Sequence, residues 1–130
     1  MADDHAVDDA SARGAARLVA WTKDDKLIPR GALAHAWQMS AQDIEAAVQR
    51  GDLFEVRVDD LTYVSSELIA LGTHRSFEIS RALGDQSASS KLIFLLRPHA
   101  GLGGKTVAEA LRTGTPLDRV LLLAQAAAHT

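Results

Sequence analysis

The run GLGGKT, Gly101 to Thr106, is the stretch of this chain whose residue types come nearest to a chemical site. A phosphate-binding loop of the form G-x-x-x-x-G-K-[ST] curls successive backbone N–H groups around phosphates. Gly104, Lys105 and Thr106 supply its last three positions, and KLIFLLRP upstream could be the strand that feeds it. The first glycine is missing, because His99 stands there, and Pro98 before it has no N–H to offer. Phosphoryl transfer also needs an acidic side chain on a neighbouring strand to hold magnesium. The one candidate strand end, VRVDD, closes in a turn. The alternative is that Gly101, Gly103 and Gly104 let the chain turn sharply between two helices.

The other reactive residue types give no constellation. The histidines are His5, His35, His74, His99 and His129, and no two share a metal-ligand spacing on one helix. The aspartate pairs at 3–4, 8–9, 24–25 and 59–60 are neighbours in sequence and do not converge on one substrate atom, so they read as solvated turns. Ser65, Ser66 and the serines of 87–90 lack a G-x-S-x-G setting and read as helix caps. There is no cysteine, which removes disulfides, thiol catalysis and Cys-based zinc sites. The expectation is a non-enzymatic protein with no cofactor and no metal.

The elements that must position these residues are mostly helical. Of the 130 residues, 47% are apolar but only 5% aromatic, so aliphatic side chains and alanine fill the core, and that favours helices. Ala12, Ala15, Ala16 and Val19 keep helical spacing, and DDKLIP is a turn and a short extended piece. Leu33, Ala36 and Trp37 mark one face of a short helix. Ser40 caps the next, with Asp43 three residues on as in a capping box. Ile44, Ala47 and Val48 form its buried face, and Gly51 ends it. LFEVRV and LTYV then alternate around Asp59-Asp60 as a hairpin. Helix, tight turn, helix, hairpin is the layout of a winged helix-turn-helix.

Helices follow: one through Ile79, Ala82 and Leu83 to Gly84, one over SASSKLIFLLR, one from Thr106 to Gly114, and one from Thr115-Pro116 to the end. The fold class is therefore mainly α with one small β-hairpin, a winged helix-turn-helix-like module followed by a helical C-terminal module. The divisions are a mobile acidic tail over 1–10, the winged module over 11–72 and the helical module over 73–130. Trp21 and Trp37 read as core, with each indole N–H near water or a carbonyl. Leu117, Val120, Leu121 and Ala124 form the stripe of the last helix. Leu122 and Leu123 widen it, which suggests a homodimer seam against a fully buried monomeric helix.

LGGKTVAEALRTGTPLDRVLLLA resembles the toxin-binding C-terminal segment of the Xre/MbcA/ParS antitoxin family. Leu102, Gly103, Lys105, Thr106, Ala110, Leu111, Gly114 and Val120 carry the likeness, and LIFLLRPHAGL is similar to that family's lead-in. Val107 stands where the family prefers proline. The resemblance implies a non-enzymatic antitoxin that dimerises, with a RES-type, NAD-consuming toxin as partner. Leu102, Gly103, Lys105, Thr106 and Leu111 would be the partner-binding residues. An upstream helix-turn-helix is likewise similar to family members that repress their own promoter.

For operator DNA the candidates are Ser40, Gln42, Gln49 and Arg50 on the second helix of the motif, with Arg57 in the wing. Gln42 and Gln49 could read adenine edges and Arg50 guanine or phosphate. Asp43 and Glu45 share that helix and would face a polyanion. The alternative is a protein-interaction or structural module that binds no DNA. Net charge is −3, yet residues 73–130 hold seven bases against four acids. No apolar run reaches the ~18 residues of a membrane span, and MADDHAVDDA has no basic n-region, so the expectation is a cytoplasmic protein with no membrane association.

Overall fold

Local signals at Ser40 and Asp59-Asp60 fix the N-terminal half. The computed structural model describes residues 16–128, so the 1–10 tail and His129 lie outside the described residues. Residues 16–23 are helical. They are followed by β1 (Leu27–Pro29), α1 (Arg30–Trp37), α2 (Ala41–Gln49), β2 (Val56–Val58) and β3 (Leu61–Ser65). Helix α1 ends at Gln38, which adopts the left-handed conformation. Ser40 then caps α2: its hydroxyl accepts the Asp43 N–H at 3.0 Å, and the Asp43 carboxylate accepts the Ser40 N–H. This is the expected capping box, and it satisfies two of the orphan donors of the first turn.

The hairpin turns through Asp59 and Asp60, whose φ values are 51° and 66°. A two-residue turn with both centres at positive φ matches the twist of the flanking strands, and aspartate tolerates that conformation. Val56, Arg57 and Val58 face Tyr63, Thr62 and Leu61. Two details differ from the sequence reading. The strand starts at Val56 rather than Leu53, because Asp52, Leu53 and Phe54 are all buried consecutively as the chain leaves Gly51 and do not alternate. The sheet also has a third strand. Leu27–Pro29 pairs antiparallel with β3, giving the order β1-β3-β2. Pro29 is tolerated because β1 is an edge strand. Helix, strand, two helices and a hairpin closing on that strand give the winged helix-turn-helix layout.

The C-terminal half is helical: α3 (Glu67–Leu71), α4 (Thr73–Ala82), α5 (Ala88–Leu96), a 3-10 turn (Ala100–Leu102), α6 (Val107–Arg112) and α7 (Leu117–Ala128). Ser87 caps α5, and the Ser65 hydroxyl accepts the Glu67 N–H at the start of α3. One cluster of buried aliphatic residues runs from Leu27 through Ile44, Leu68 and Leu92 to Val120 and Ala124, joining both halves. Helix α4 packs on α7, and the Gln86 side-chain amide donates to the Ala127 carbonyl.

On α1 the buried pair is Leu33 and Ala34, while Ala36 is exposed. Trp37 packs edge-on against Phe77 with centroids 6.2 Å apart. Its Nε1 is buried with no hydrogen-bond partner among the protein groups described. On α7, Leu123 packs against Gly101, leaving Leu122, 67% exposed, as the wide part of the apolar stripe.

Candidate interaction surfaces

The glycine run is a turn between α5 and α6, closed by its own backbone. The His99 carbonyl accepts the N–H groups of Leu102 (3.0 Å) and Gly104 (2.9 Å), and the Ala100 carbonyl accepts that of Gly103 (3.1 Å). The His99 N–H donates to the Lys105 carbonyl at 3.0 Å, bridging the two ends of the loop. Gly103 and Gly104 have φ of 70° and 78°, which only glycine adopts cheaply. A Cβ on Gly101 would stand 3.1 Å from Leu123 Cδ2. Buried His99 anchors the turn, with Nε2 2.8 Å from the Phe94 carbonyl and its ring 4.6 Å from that of Phe94.

This geometry bears out the turn between two helices and excludes the phosphate-loop alternative. The amides of Leu102, Gly103 and Gly104 that would cradle phosphate already donate within the turn. Lys105 Nζ donates to Thr113 Oγ1 at 3.0 Å. Thr106 caps α6 in a second capping box with Glu109, whose carboxylate accepts the Thr106 hydroxyl at 2.9 Å and the Thr106 N–H at 3.3 Å. The Thr106 hydroxyl bond, then its N–H, holds the Glu109 carboxyl below the usual range.

The five residues singled out for a partner protein therefore divide. Gly103, Lys105 and Thr106 lie on one corner, where Gly103 and Lys105 are exposed and Thr106 is half-buried. Leu102 and Leu111 are buried in the core, so they seat the turn and α6 while their neighbours face outward.

The five residues singled out for DNA are more scattered. Ser40, Gln42 and Gln49 are exposed on α2 and its cap. Arg50, at the end of α2, donates through Nε to Asp52 Oδ2 at 3.0 Å, and Arg81 of α4 donates to Asp52 Oδ1 at 2.5 Å. The Asp52 side chain is only 4% exposed. The Arg81 hydrogen bond, aided by that of Arg50, holds its carboxyl below the usual range against the opposing effect of burial. Asp52 thus links Arg50, at the end of α2, to Arg81 of α4. Arg57 stands exposed on β2 and borders a small hollow with Leu18 and Val19 of the first helical segment.

One concavity among the described residues was not foreseen. A cleft of about 480 Å³ lies where the start of β1, α3 and α4 meet α6 and the end of α5. The Lys26 carbonyl accepts both the N–H (3.0 Å) and hydroxyl (3.2 Å) of Ser66, pinning β1 to the start of α3 beside Glu67. Lys26, Arg75 and Arg112 stand on its rim with Glu67 and Glu109, over Leu71, Leu96 and Leu111. The basic excess of residues 73–130 was the only signal for it. Convergence of residues as far apart as 26 and 112 is a tertiary property.

Among the described residues, no group of three or more histidine and acidic side chains is arranged to hold a metal ion, and no helix is long and apolar enough to cross a membrane. Comparison of the chain with protein-family models, with curated proteins and with solved structures finds no match.

Proposed function

We propose that the chain is a cytoplasmic, non-enzymatic, antitoxin-like regulator that binds a toxin-like partner protein through its C-terminal helices. The observation that carries this reading is the self-bonded glycine turn. Its amides are spent on its own carbonyls, so it serves to hold a corner of Gly103, Lys105 and Thr106 in a fixed shape. A rigid exposed corner next to a capped helix suits recognition of another protein, because little ordering entropy is lost on binding. The likeness of LGGKTVAEALRTG to toxin-binding segments supports the same reading. The exposed Leu122 of α7 is the surface a second copy would cover in a homodimer.

Operator DNA would be a second ligand, through α2. A reading without DNA is favoured by one observation: Arg50, the main cation of α2, is committed to Asp52, while Asp43 and Glu45 are exposed beside it. Phosphate contacts supply most of the affinity for DNA, and this helix is poor in them.

Co-expression tests the regulator reading. The product of an adjacent reading frame, expressed alone, is expected to arrest growth and deplete NAD, and this chain is expected to restore both. If no neighbouring product is toxic, or if its toxicity persists in the presence of this chain, the reading fails.

A further inference from the structure

We propose that the cleft between α3, α4 and α6 is a docking groove for an acidic peptide segment of a partner protein, one that carries leucine-like side chains between its carboxylates. The cleft does not end at its own walls. Lys26 and Leu96 also line an adjoining hollow of about 260 Å³, floored by Trp21 and Ile93 and flanked by Arg17 and Arg97. The two together form one surface with five cations and two carboxylates.

Among the described residues none of those five cations forms an ion pair, whereas Arg30, Arg50 and Arg81 all do. Of the two carboxylates, Glu109 is occupied in capping Thr106. An excess of five cations over two carboxylates in a concave, partly apolar wall concentrates the field there and attracts anions. Guanidinium groups add geometric selectivity, because each can take a carboxylate through two parallel N–H donors.

The apolar component decides which anion. Leu71, Leu96, Ala108, Ile93 and Trp21 offer contact that a sugar-phosphate backbone cannot use. Glu67 and Glu109 interrupt the cations, and they would repel a continuous row of phosphates. A peptide can place its carboxylates opposite the arginines and its apolar side chains between them. The proposal rests on the partner-binding reading for the groove's biological use, but a synthetic peptide tests the groove by itself, so the two can fail separately.

The probe is a fluorescein-labelled peptide of Glu-Leu-Glu triplets, titrated by fluorescence anisotropy against the whole chain. Polyglutamate and oligothymidylate of matched charge are the comparison ligands. The triplet peptide is expected to bind tighter than either. Arg75→Ala with Arg112→Ala is expected to weaken it about tenfold, the combined loss of two solvent-screened carboxylate contacts. Arg17→Ala with Arg97→Ala should weaken it similarly from the other end, so the outcome does not depend on one pair of variants folding. Arg119→Ala, an exposed cation outside both hollows, should leave it unchanged. Equal binding of polyglutamate, tighter binding of oligothymidylate, or undiminished binding by both double variants would overturn the proposal.

Discussion

The outer face of α2 and the cleft beside α6 are opposites. The first has the layout of a capped helix, a tight turn and a wing, but its charge is net negative. Asp43 and Glu45 are exposed on it, and its terminal Arg50 is tied to Asp52. The second belongs to no recognised reading motif, yet among the described residues it gathers five cations that form no ion pair, beside two carboxylates. Backbone layout and charge are separate properties of a surface, and the layout alone does not say what binds.

The largest effect on this comparison is expected from Asp52→Asn. The substitution removes the charge at the centre of the clamp that joins the end of α2 to α4, leaving Arg50 without its ion pair and Arg81 with Glu78 alone. It is expected to cost about 1–2 kcal/mol in urea unfolding, a figure kept low because both guanidinium groups are half-exposed and solvated. The pH dependence has a definite sign. The Asp52 carboxyl is held below its usual pKa in the folded state. Its contribution is therefore fully present above the unfolded value, about 4, and is lost as pH falls through the folded value. The gap between wild type and Asp52→Asn should narrow in that acid window. A gap that stays constant down to the most acid conditions would show that Asp52 acts by packing, and Arg50 would be free for α2.

A smaller and symmetric effect is expected from the two capping boxes, one on each surface. Ser40→Ala and Thr106→Ala should each cost about 0.5–1 kcal/mol in the same urea assay. Only Thr106→Ala should also weaken partner binding, because Thr106 sits on the corner next to the cleft. Glu109 is held below its usual pKa mainly by the Thr106 hydroxyl, so the Thr106→Ala cost should shrink as pH falls below about 4. Equal loss of partner binding in both variants would erase the distinction between the surfaces.

What could be read from the sequence follows from how local each feature is. The Ser40–Asp43 box, the Asp59-Asp60 turn, the Gly51 stop and the Ser87 cap are decided within four residues, and all are present. The choice of Ala34 over Ala36 on α1 was not legible, since alanine does not declare its side of a helix. Leu27–Pro29 was legible as a short extended piece, but its place in the sheet was not, because its partner lies at 65 to 63. The Arg50–Asp52–Arg81 clamp includes a bond between residues 29 apart in sequence, and the cleft draws on elements from both halves of the chain. Charge placement at that range is visible only once the chain is folded.

Isothermal titration of the chain with the purified product of an adjacent gene tests the central claim most directly. The account predicts a saturable complex that survives Arg50→Ala and is weakened about tenfold by Arg75→Ala with Arg112→Ala. Absence of heat with every neighbouring product, or a complex lost with Arg50→Ala and indifferent to the cleft variants, would contradict it.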